Sequence, residues 1–296
     1  MINKPSFIIV GVARCGTTSL YHYLKQHPHI DFPKIKEPKY FSSKVQSYPH
    51  NGPGDKEVDD NVVKIEKSYD ELFLSLNKVK VIGEASSDYF YNHKKIIPLI
   101  KEKLGDVKII ICLRNPIERA FSAYNNLLRD SREKLSFYEG LMKENERIEN
   151  NYDWMWHYTN GGFYSDGITN FKNHFKDVEL VFFDDLIKSP EKVVQRIFTF
   201  LNVDSSYKVD LSKKYSVSGK PKNLIFKTLS SRIGFFSDFR KIIIRLVPRK
   251  YLEIFASYMF KKNNIDEKSR KFLKSIFYKE IQLVSKLTNR NLINWK

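Results

Sequence analysis

Cysteine is scarce in this sequence of 296 residues, which contains only two. Cys15 and Cys112 each lie in an apolar or glycine-rich run, and their spacing matches neither a zinc site nor a disulfide framework. Long apolar runs are missing too, since none approaches the roughly 18 residues of a membrane span. The run before Gly11 is too short for the apolar core of a signal peptide. These absences predict a soluble protein of a reducing compartment, which we expect to be the cytoplasm.

Acidic residues are few, because 34 Asp and Glu stand against 51 Lys and Arg and give a formal net charge of +17. Most of the excess lies in residues 219–296, which contain 19 basic and 5 acidic residues. Such a charge suggests an anionic partner, such as a nucleotide, an acidic polymer or a membrane surface. A hydrophobic share of 42% and an aromatic share of 14% indicate a packed core. The length fits one α/β domain with insertions, and we predict a single domain over residues 1–296.

Short runs rich in β-branched residues alternate with stretches of helical periodicity. The runs cover residues 7–10, 79–83, 107–113 and 178–183, and the helical patterns cover 17–27, 96–104, a segment that begins at Asn115-Pro116, and 184–201. This alternation is typical of a parallel sheet with crossover helices. We therefore predict an α/β fold with a P-loop-like central parallel sheet flanked by helices, and a helical C-terminal part at residues 266–287. Residues 43–66, which are rich in Pro and Gly, are predicted to form a polar surface loop.

The first predicted strand is followed by a glycine-bracketed loop, Gly11-Val-Ala-Arg-Cys-Gly16, and then by Thr17 and Thr18. The spacing G-x-x-x-x-G between a strand and a helix is that of a phosphate-binding loop, where backbone N–H groups and the helix dipole favour an anion. Thr17 takes the place of the Lys that reaches the terminal phosphates of a nucleoside triphosphate. Arg114 ends a strand where an Asp for Mg²⁺ would be expected. A kinase is therefore disfavoured, although it remains an alternative, as does a non-enzymatic binder of acidic polymers or nucleic acid.

With Arg14 in this loop and a second basic strand end at Arg114, the sequence resembles the sulfotransferases that use 3′-phosphoadenosine 5′-phosphosulfate (PAPS). Among these it is most similar to the glycan-type (heparan-sulfate-like) and bacterial members. The resemblance implies that Arg14 contacts the oxygen between phosphorus and sulfur and stabilises the leaving phosphate. It also implies that Arg114 and Ser122, within LRNPIERAFSAY, bind the 3′-phosphate. The loop residues that it implies for the 5′-phosphate are Cys15, Gly16, Thr17, Thr18 and Ser19.

A second segment, Lys36-Glu-Pro-Lys-Tyr-Phe41, resembles the K-E-x-x-[FY]-F segment in which glycan-type members carry their catalytic carboxylate. The resemblance implies that Glu37 is the base that takes the acceptor proton and that Lys36 contacts the transferring sulfonate. By itself, Lys-Glu-Pro is typical of a solvated turn. His157 is the fallback base, since some relatives use His.

Three further segments resemble family features with less specific roles. Glu84, in G-E-x-S-x-x-Y, is near the acceptor in relatives or is a buried structural residue. Phe183 is implied to stack on adenine, although such a Phe is more often core. Ser218, Gly219 and Lys220 resemble a basic loop that closes over the 3′-phosphate. Residues 223–265 have no counterpart, and we predict a basic, aromatic-rich helical insertion that could dock at an anionic membrane surface.

The predicted activity is in-line transfer of a sulfuryl group from PAPS to a hydroxyl, or less favourably an amine, of a saccharide or glycolipid. A polar natural product is the alternative acceptor. No metal is required, and no nucleic-acid partner is expected. The seven histidines show no metal-ligand spacing: His22, His27, His29, His50, His93, His157 and His174.

Overall fold

The computed structural model describes residues 4–76, 79–212, 220–221, 260–261 and 263–295. Its centre is a parallel sheet with the strand order β2-β3-β1-β4-β5. The strands are β1 Phe7–Gly11, β2 Ile30–Asp31, β3 Val81–Ala85, β4 Lys108–Leu113 and β5 Val178–Phe182. β1 and β3 are buried along their whole length because helices cover both faces of the sheet. The predicted α/β fold with a parallel sheet is confirmed.

Eleven helices accompany the sheet in the described residues. They are α1 Thr17–Leu24, α2 Asp55–Asp59, α3 Glu66–Glu71, α4 His93–Leu104, α5 Pro116–Arg129, α6 Phe137–Met142, α7 Glu144–Glu149, α8 Ser165–His174, α9 Phe183–Lys188, α10 Pro190–Phe200 and α11 Glu267–Thr288. Short 3₁₀ turns occur at Ser42–Lys44, Trp154–Trp156, Asn160–Gly162 and Ile293–Trp295. None of these helices combines the length and apolar character that a membrane span requires.

The order of the strands shows at which edge of the sheet a ligand can bind. β1 pairs with β3 on one side and with β4 on the other, so the connections that leave β1 and β4 diverge at the carboxyl ends of these strands. In open α/β sheets this divergence creates the crevice where ligands bind. The glycine-bracketed loop follows β1, and Arg114 follows β4, so both predicted phosphate signatures lie at this crevice.

α5 begins where the sequence predicts. The side chain of Asn115 caps the helix by accepting a hydrogen bond from the Ile117 N–H at 2.9 Å, and Pro116 occupies the first helical position. Because this cap stands directly after β4, it fixes Arg114 at the strand end and puts Ser122 two turns along the helix.

The prediction of a polar surface loop at residues 43–66 holds for most of the segment, which is exposed or half-buried, but it misses the helix α2 and four buried residues, His50, Gly52, Asp55 and Asp59. Asp55 is fully buried in α2, forms an ion pair with Arg132 and accepts a hydrogen bond from Trp156 Nε1 at 3.0 Å. His50 lies 2.7 Å from the carboxylate of Asp59, and both are buried. These charges can be buried because their partners lie nearby in space, although Arg132 and Trp156 are 77 and 101 positions from Asp55 in the sequence.

Two smaller predictions also require correction. The predicted helix over residues 184–201 is two helices, α9 and α10, because Pro190 lacks an N–H and starts a new helix after Ser189. The two-residue edge strand β2 was not predicted, since so short a segment carries no periodicity.

α11 confirms the helical C-terminal part. Asp266 caps it by accepting from the Ser269 N–H at 2.8 Å, and its apolar face is buried against the core through Leu273, Phe277, Ile281 and Val284. Of the proposed insertion 223–265, only 260–261 and 263–265 are described, and Phe260–Lys261 pairs antiparallel with Lys220–Pro221. The prediction of helices and membrane contact there lies outside the described residues.

Candidate active site

The loop between β1 and α1 has the backbone shape that its glycines predict. Arg14 and Gly16 adopt positive φ values of 71° and 92°, so the chain turns sharply into α1. A side chain at position 16 would approach Leu186 to 2.9 Å and Phe183 to 3.0 Å, which explains why glycine stands there. The first N–H groups of a helix have no partner within it, so the start of α1 can receive an anion.

The side chain of Arg14 connects this loop to α5. Its Nε donates to Ser122 Oγ at 3.1 Å, and its Nη1 donates to Asn126 Oδ1 at 2.9 Å. Arg114 in turn donates from Nη1 to the backbone carbonyl of Arg14 at 3.3 Å. The two predicted phosphate signatures therefore meet in one place.

The charge at this meeting point is positive. Burial lowers the pKa of Arg14 to about 9, with further lowering by the nearby Arg129 and Arg114, while Asp130 opposes the shift. Among the described residues, neither Arg14 nor Arg114 forms an ion pair with a carboxylate; Arg114 instead lies 4.5 Å from the ring centre of Phe183. Arg14 is half-buried, and the repulsion from Arg129 and Arg114 outweighs the attraction of Asp130, so the arrangement suits an anionic ligand.

Glu37 is held near the end of β3. Its N–H donates to the carbonyl of Ala85, the last residue of β3, at 2.9 Å, and its φ is 61°. Its carboxylate accepts from Lys36 Nζ at 2.6 Å and from Ser87 Oγ at 3.2 Å. Burial alone would raise the pKa of Glu37, but the charges of Lys36 and Lys39 outweigh it and the net shift is downward. Glu37 is therefore a carboxylate at neutral pH.

A cleft of about 330 Å³ brings the two groups together. Its lining includes Arg14, Thr17 and Thr18 of the phosphate-binding loop as well as Lys36 and Glu37. Sequence reasoning missed several residues of its wall: Lys39, Ser87, Asn126, Asp130, Arg132, Asp153 and Trp154. Lys39 shares the motif of Glu37, but nothing in the sequence indicates that the segment around Trp154 reaches this cleft.

The remaining loop residues differ in which of their polar groups are accessible to a ligand. The N–H of Cys15 donates to the Val12 carbonyl at 3.1 Å, and burial raises the pKa of its thiol to about 11. Cys15 therefore helps to shape the loop, and its thiol is not a nucleophile. Thr17 is buried, whereas Thr18 and Ser19 are half-buried in the first turn of α1.

Phe183 begins α9 and is half-buried against Gly16 and Arg114, so it lies beside the phosphate signatures. Ser218 and Gly219 lie outside the described residues, and for Lys220 only the backbone is described. Their assignments stay predictions.

Two other candidate residues are built into the core. Glu84 is fully buried and accepts from Tyr69 Oη at 2.5 Å and from Ser86 Oγ at 2.8 Å, and burial raises its pKa to about 7. His157 lies 2.8 Å from Tyr91 Oη, and burial lowers its pKa to about 4. Neither residue lines the cleft, which favours the structural interpretation of Glu84 and Glu37 over His157 as base.

A family model described as a sulfotransferase family matches residues 5–207. A 121-residue segment is 34% identical to the membrane-associated sulfotransferase kil1 of Dictyostelium discoideum, covering 41% of this chain and 22% of that protein. The heparan sulfate glucosamine 3-O-sulfotransferase 3B1 of Mus musculus is 26% identical over 201 residues, which are 67% of this chain and 46% of the relative. The match thus spans less than half the length of either relative.

Solved structures agree over nearly the whole chain. A sulfotransferase from Alicyclobacillus acidocaldarius superposes with a TM-score of 0.79 at 29% identity, over 99% of both chains. Mouse sulfotransferase SULT7A1 complexed with PAP gives a TM-score of 0.51 at 13% identity, over 97% of this chain and 88% of the other, which shows the shared fold alone. The matched motifs, the sheet and the family model lead to one conclusion: the chain belongs to the sulfotransferase family.

Proposed function

We propose that the protein transfers a sulfuryl group from PAPS to a sugar hydroxyl. The observation that carries the proposal is the hydrogen bond of 3.1 Å to Ser122 from Arg14, which lines the cleft that also contains Glu37. It joins a loop suited to a 5′-phosphosulfate to a helix suited to a 3′-phosphate. A nucleoside triphosphate has its phosphates in one chain and would not require this second basic site.

The residues present fit a donor with two separated phosphate groups. The loop and the start of α1 offer N–H groups, the Thr17 and Thr18 hydroxyls and the Arg14 guanidinium to the 5′ side. Arg114 and Ser122 would hold the 3′-phosphate, and Phe183 would pack on adenine. The solved complex of the mouse protein with 3′-phosphoadenosine 5′-phosphate (PAP) supports this choice of donor. When bound, PAPS supplies an activated sulfuryl group.

Glu37 has the geometry of a general base. Lys36 and Ser87 both donate to its Oε1, so Oε2 has no donor among the described residues and is the oxygen to which we assign the acceptor proton. As the acceptor oxygen bonds to sulfur, its proton passes to Glu37 and the bond from sulfur to the 5′-phosphate oxygen breaks. The electron pair stays on that oxygen, where Arg14 stabilises it. The products are a sulfate ester, PAP and a proton that Glu37 releases to water.

A saccharide acceptor is supported by the relatives, two of which are named carbohydrate sulfotransferase 15 and heparan sulfate glucosamine 3-O-sulfotransferase 3B1. Most of the residues that line the cleft are polar or charged, as a sugar requires. A small polar natural product remains the alternative acceptor.

The test combines binding and turnover. Calorimetry should show that wild-type protein binds PAP and that Arg114→Ala binds it more weakly, while Lys208→Ala, an exposed control, binds it as wild type does. Label from PAPS should then appear in a saccharide pool. A protein that has no affinity for PAP, or that binds Mg²⁺–ATP instead, contradicts the proposal.

A further inference from the structure

A second cavity, of about 290 Å³, is lined by the two residues that we assign to the 3′-phosphate, Arg114 and Ser122. It is connected to the cleft of Glu37 through Arg14, which lines that cleft and donates to Ser122 at 3.1 Å. The rest of its lining comes from α5, from the first turn of α11 and from residues 263–265. The C-terminal helix therefore takes part in a cavity at the phosphate signatures.

Three polar residues of α5 line this cavity: Glu118, Ser122 and Asn125. Their spacing of four and then three residues puts them on one face of the helix. The Ser122 hydroxyl accepts from Arg14, and its own proton goes to no group in the described residues. Ser122 can therefore donate to an oxygen of a ligand in the cavity.

Asn125 is buried without a hydrogen-bond partner for its side chain. The residue is 4% exposed, its Oδ1 accepts no hydrogen bond, and its amide nitrogen donates none within the part of the chain that the structure describes. Burial of an amide that bonds to nothing is unfavourable, and native proteins satisfy nearly all such groups. Because Asn125 lines the cavity, a ligand there can supply the missing partner, and the amide can turn its NH₂ group towards an anion.

Arg270 brings a second guanidinium to the cavity from the first turn of α11. Its Nη2 lies 3.2 Å from Glu118 Oε1, and the two side chains are 42% and 37% exposed. Ion pairs with this exposure are weak. The charged side chains in the described lining are those of Arg114, Arg270 and Glu118, so positive charge is in excess by one. A phosphate group carries more negative charge than a carboxylate and can therefore draw Arg270 away from Glu118.

We propose that Arg270 and Asn125 bind the 3′-phosphate together with Arg114 and Ser122, and that Arg270 exchanges Glu118 for the phosphate when the donor binds. Two guanidinium groups and two neutral donors then surround the phosphate, and such charge-assisted hydrogen bonds are the strong ones. The role of α11 is to favour a nucleotide with a 3′-phosphate over one that lacks it. The inference rests on the proposed function, because the 3′-phosphate is that of PAPS.

The first experiment compares PAP with adenosine 5′-phosphate, which lacks the 3′-phosphate, in calorimetry. Arg270→Gln loses a charged hydrogen bond and should weaken PAP binding by about 10- to 100-fold, while adenosine 5′-phosphate binds as before. Glu118→Gln removes a competing carboxylate and should strengthen PAP binding by about two- to fivefold. The matched control, Lys274→Gln, makes the same change in net charge as Arg270→Gln at an exposed position of α11 and should bind both nucleotides as wild type does.

The opposite signs of these two effects separate binding from helix packing. Both variants break the ion pair between α5 and α11, so a purely structural pair predicts the same loss of affinity in both. That result overturns the inference, as does an Arg270→Gln variant that binds PAP like wild type or weakens both nucleotides alike. In each of these cases PAP binding by wild type leaves the proposed function intact. Wild-type protein that does not bind PAP contradicts the proposed function itself.

The second experiment removes the amide of Asn125. Asn125→Ala should weaken PAP binding by about three- to tenfold and leave the affinity for adenosine 5′-phosphate unchanged. The free energy of unfolding, measured in urea, should not fall, because the side chain has no described partner to lose and alanine favours a helix. A variant that binds PAP like wild type, or that loses stability and affinity for both nucleotides together, overturns the assignment of Asn125.

Discussion

Arg14 and Ser122, which are 108 positions apart, are joined by a hydrogen bond of 3.1 Å from the guanidinium to the hydroxyl. The bond ties the loop after β1 to α5 and therefore fixes the distance between the two basic groups that we assign to the donor. It also holds a half-buried cation whose charge is unfavourable in the free protein, since burial and the neighbouring Arg129 and Arg114 lower its pKa to about 9. Binding and stability should respond to this side chain in opposite directions.

The variant Arg14→Met tests whether PAP binding and stability change in opposite directions. The variant loses the charged hydrogen bonds from Arg14 to the bound nucleotide, which should weaken PAP binding by about 10- to 100-fold. The free energy of unfolding should stay equal or rise, because the variant removes a half-buried charge that two neighbouring arginines repel. Calorimetry measures the first effect and urea unfolding the second. Tight PAP binding by a stable variant would contradict the assignment of Arg14.

The parts of this site that the sequence reveals are those with local causes. The glycines at positions 11 and 16 and the cap at Asn115 act within a few residues, so their spacing predicts the loop and the start of α5. The resemblance to known sulfotransferases then supplies roles for Arg14, Arg114 and Glu37. These are predictions that the geometry supports.

The parts that the sequence does not reveal depend on contacts between distant segments. Asn126 holds Arg14 across 112 positions, and Ser87 reaches Glu37 across 50. No periodicity or cap marks such pairs, because each partner by itself is an ordinary polar residue. For the same reason the buried Asp55 was predicted to be exposed.

Glu37→Gln tests the proposed base. The amide keeps the size of the side chain but cannot take a proton, so kcat should fall by about 100- to 10,000-fold while PAP binding is unchanged. Steady-state kinetics with the best acceptor and calorimetry with PAP measure the two effects. Glu191→Gln, an exposed control, should retain wild-type turnover. Wild-type kcat in Glu37→Gln would remove Glu37 from its assigned role.

The pH dependence of turnover tests how Lys36 acts on Glu37. The charge of Lys36 is a main cause of the lowered pKa of Glu37, whose ordinary value is 4.5, and the base works as a carboxylate. In wild type, kcat should therefore fall only as the pH drops below about 4.5. Lys36→Met should raise the pKa of Glu37 and move this acidic limb to higher pH. The pH at which kcat falls is the quantity to compare. The maximal kcat is less informative, because it also reflects any contact of Lys36 with the sulfonate. An unmoved limb would show that Lys36 does not tune the base.

The buried ion pair of Asp55 and Arg132 should be important for stability. Asp55→Ala leaves the Arg132 guanidinium buried without its partner and removes the acceptor of the Trp156 N–H. We expect the free energy of unfolding to fall by about 3–5 kcal/mol in urea titrations. The matched control is Glu66→Ala, which breaks a bridge from an exposed glutamate to Lys103 and should have an effect of about 1 kcal/mol or less. Equal effects of the two variants would contradict the buried placement of α2.

Glu84 should make the protein less stable as the pH rises. Burial raises its pKa to about 7 from an ordinary value of 4.5, so the folded state holds a proton that the unfolded state releases between these values. The associated stability is complete below about pH 4.5 and is lost as the pH rises through 7. Glu84→Gln keeps the side chain neutral at every pH. The difference in the free energy of unfolding, variant minus wild type, should be larger at pH 8 than at pH 5 by about 2–3 kcal/mol.

Urea titrations of both proteins at the two pH values measure this difference. Asp88, whose pKa burial raises to about 6, titrates in part of the same range and its charge also raises the pKa of Glu84, so the difference between wild type and Glu84→Gln contains this coupling as well. Glu71→Gln, on the exposed face of α3, should leave the pH dependence of wild type unchanged. If Glu84→Gln follows the wild-type curve at both pH values, the glutamate is ionised in the folded protein. The cluster with Tyr69 and Ser86 would then have to stabilise a buried charge, because their hydroxyls are the groups that donate to its carboxylate.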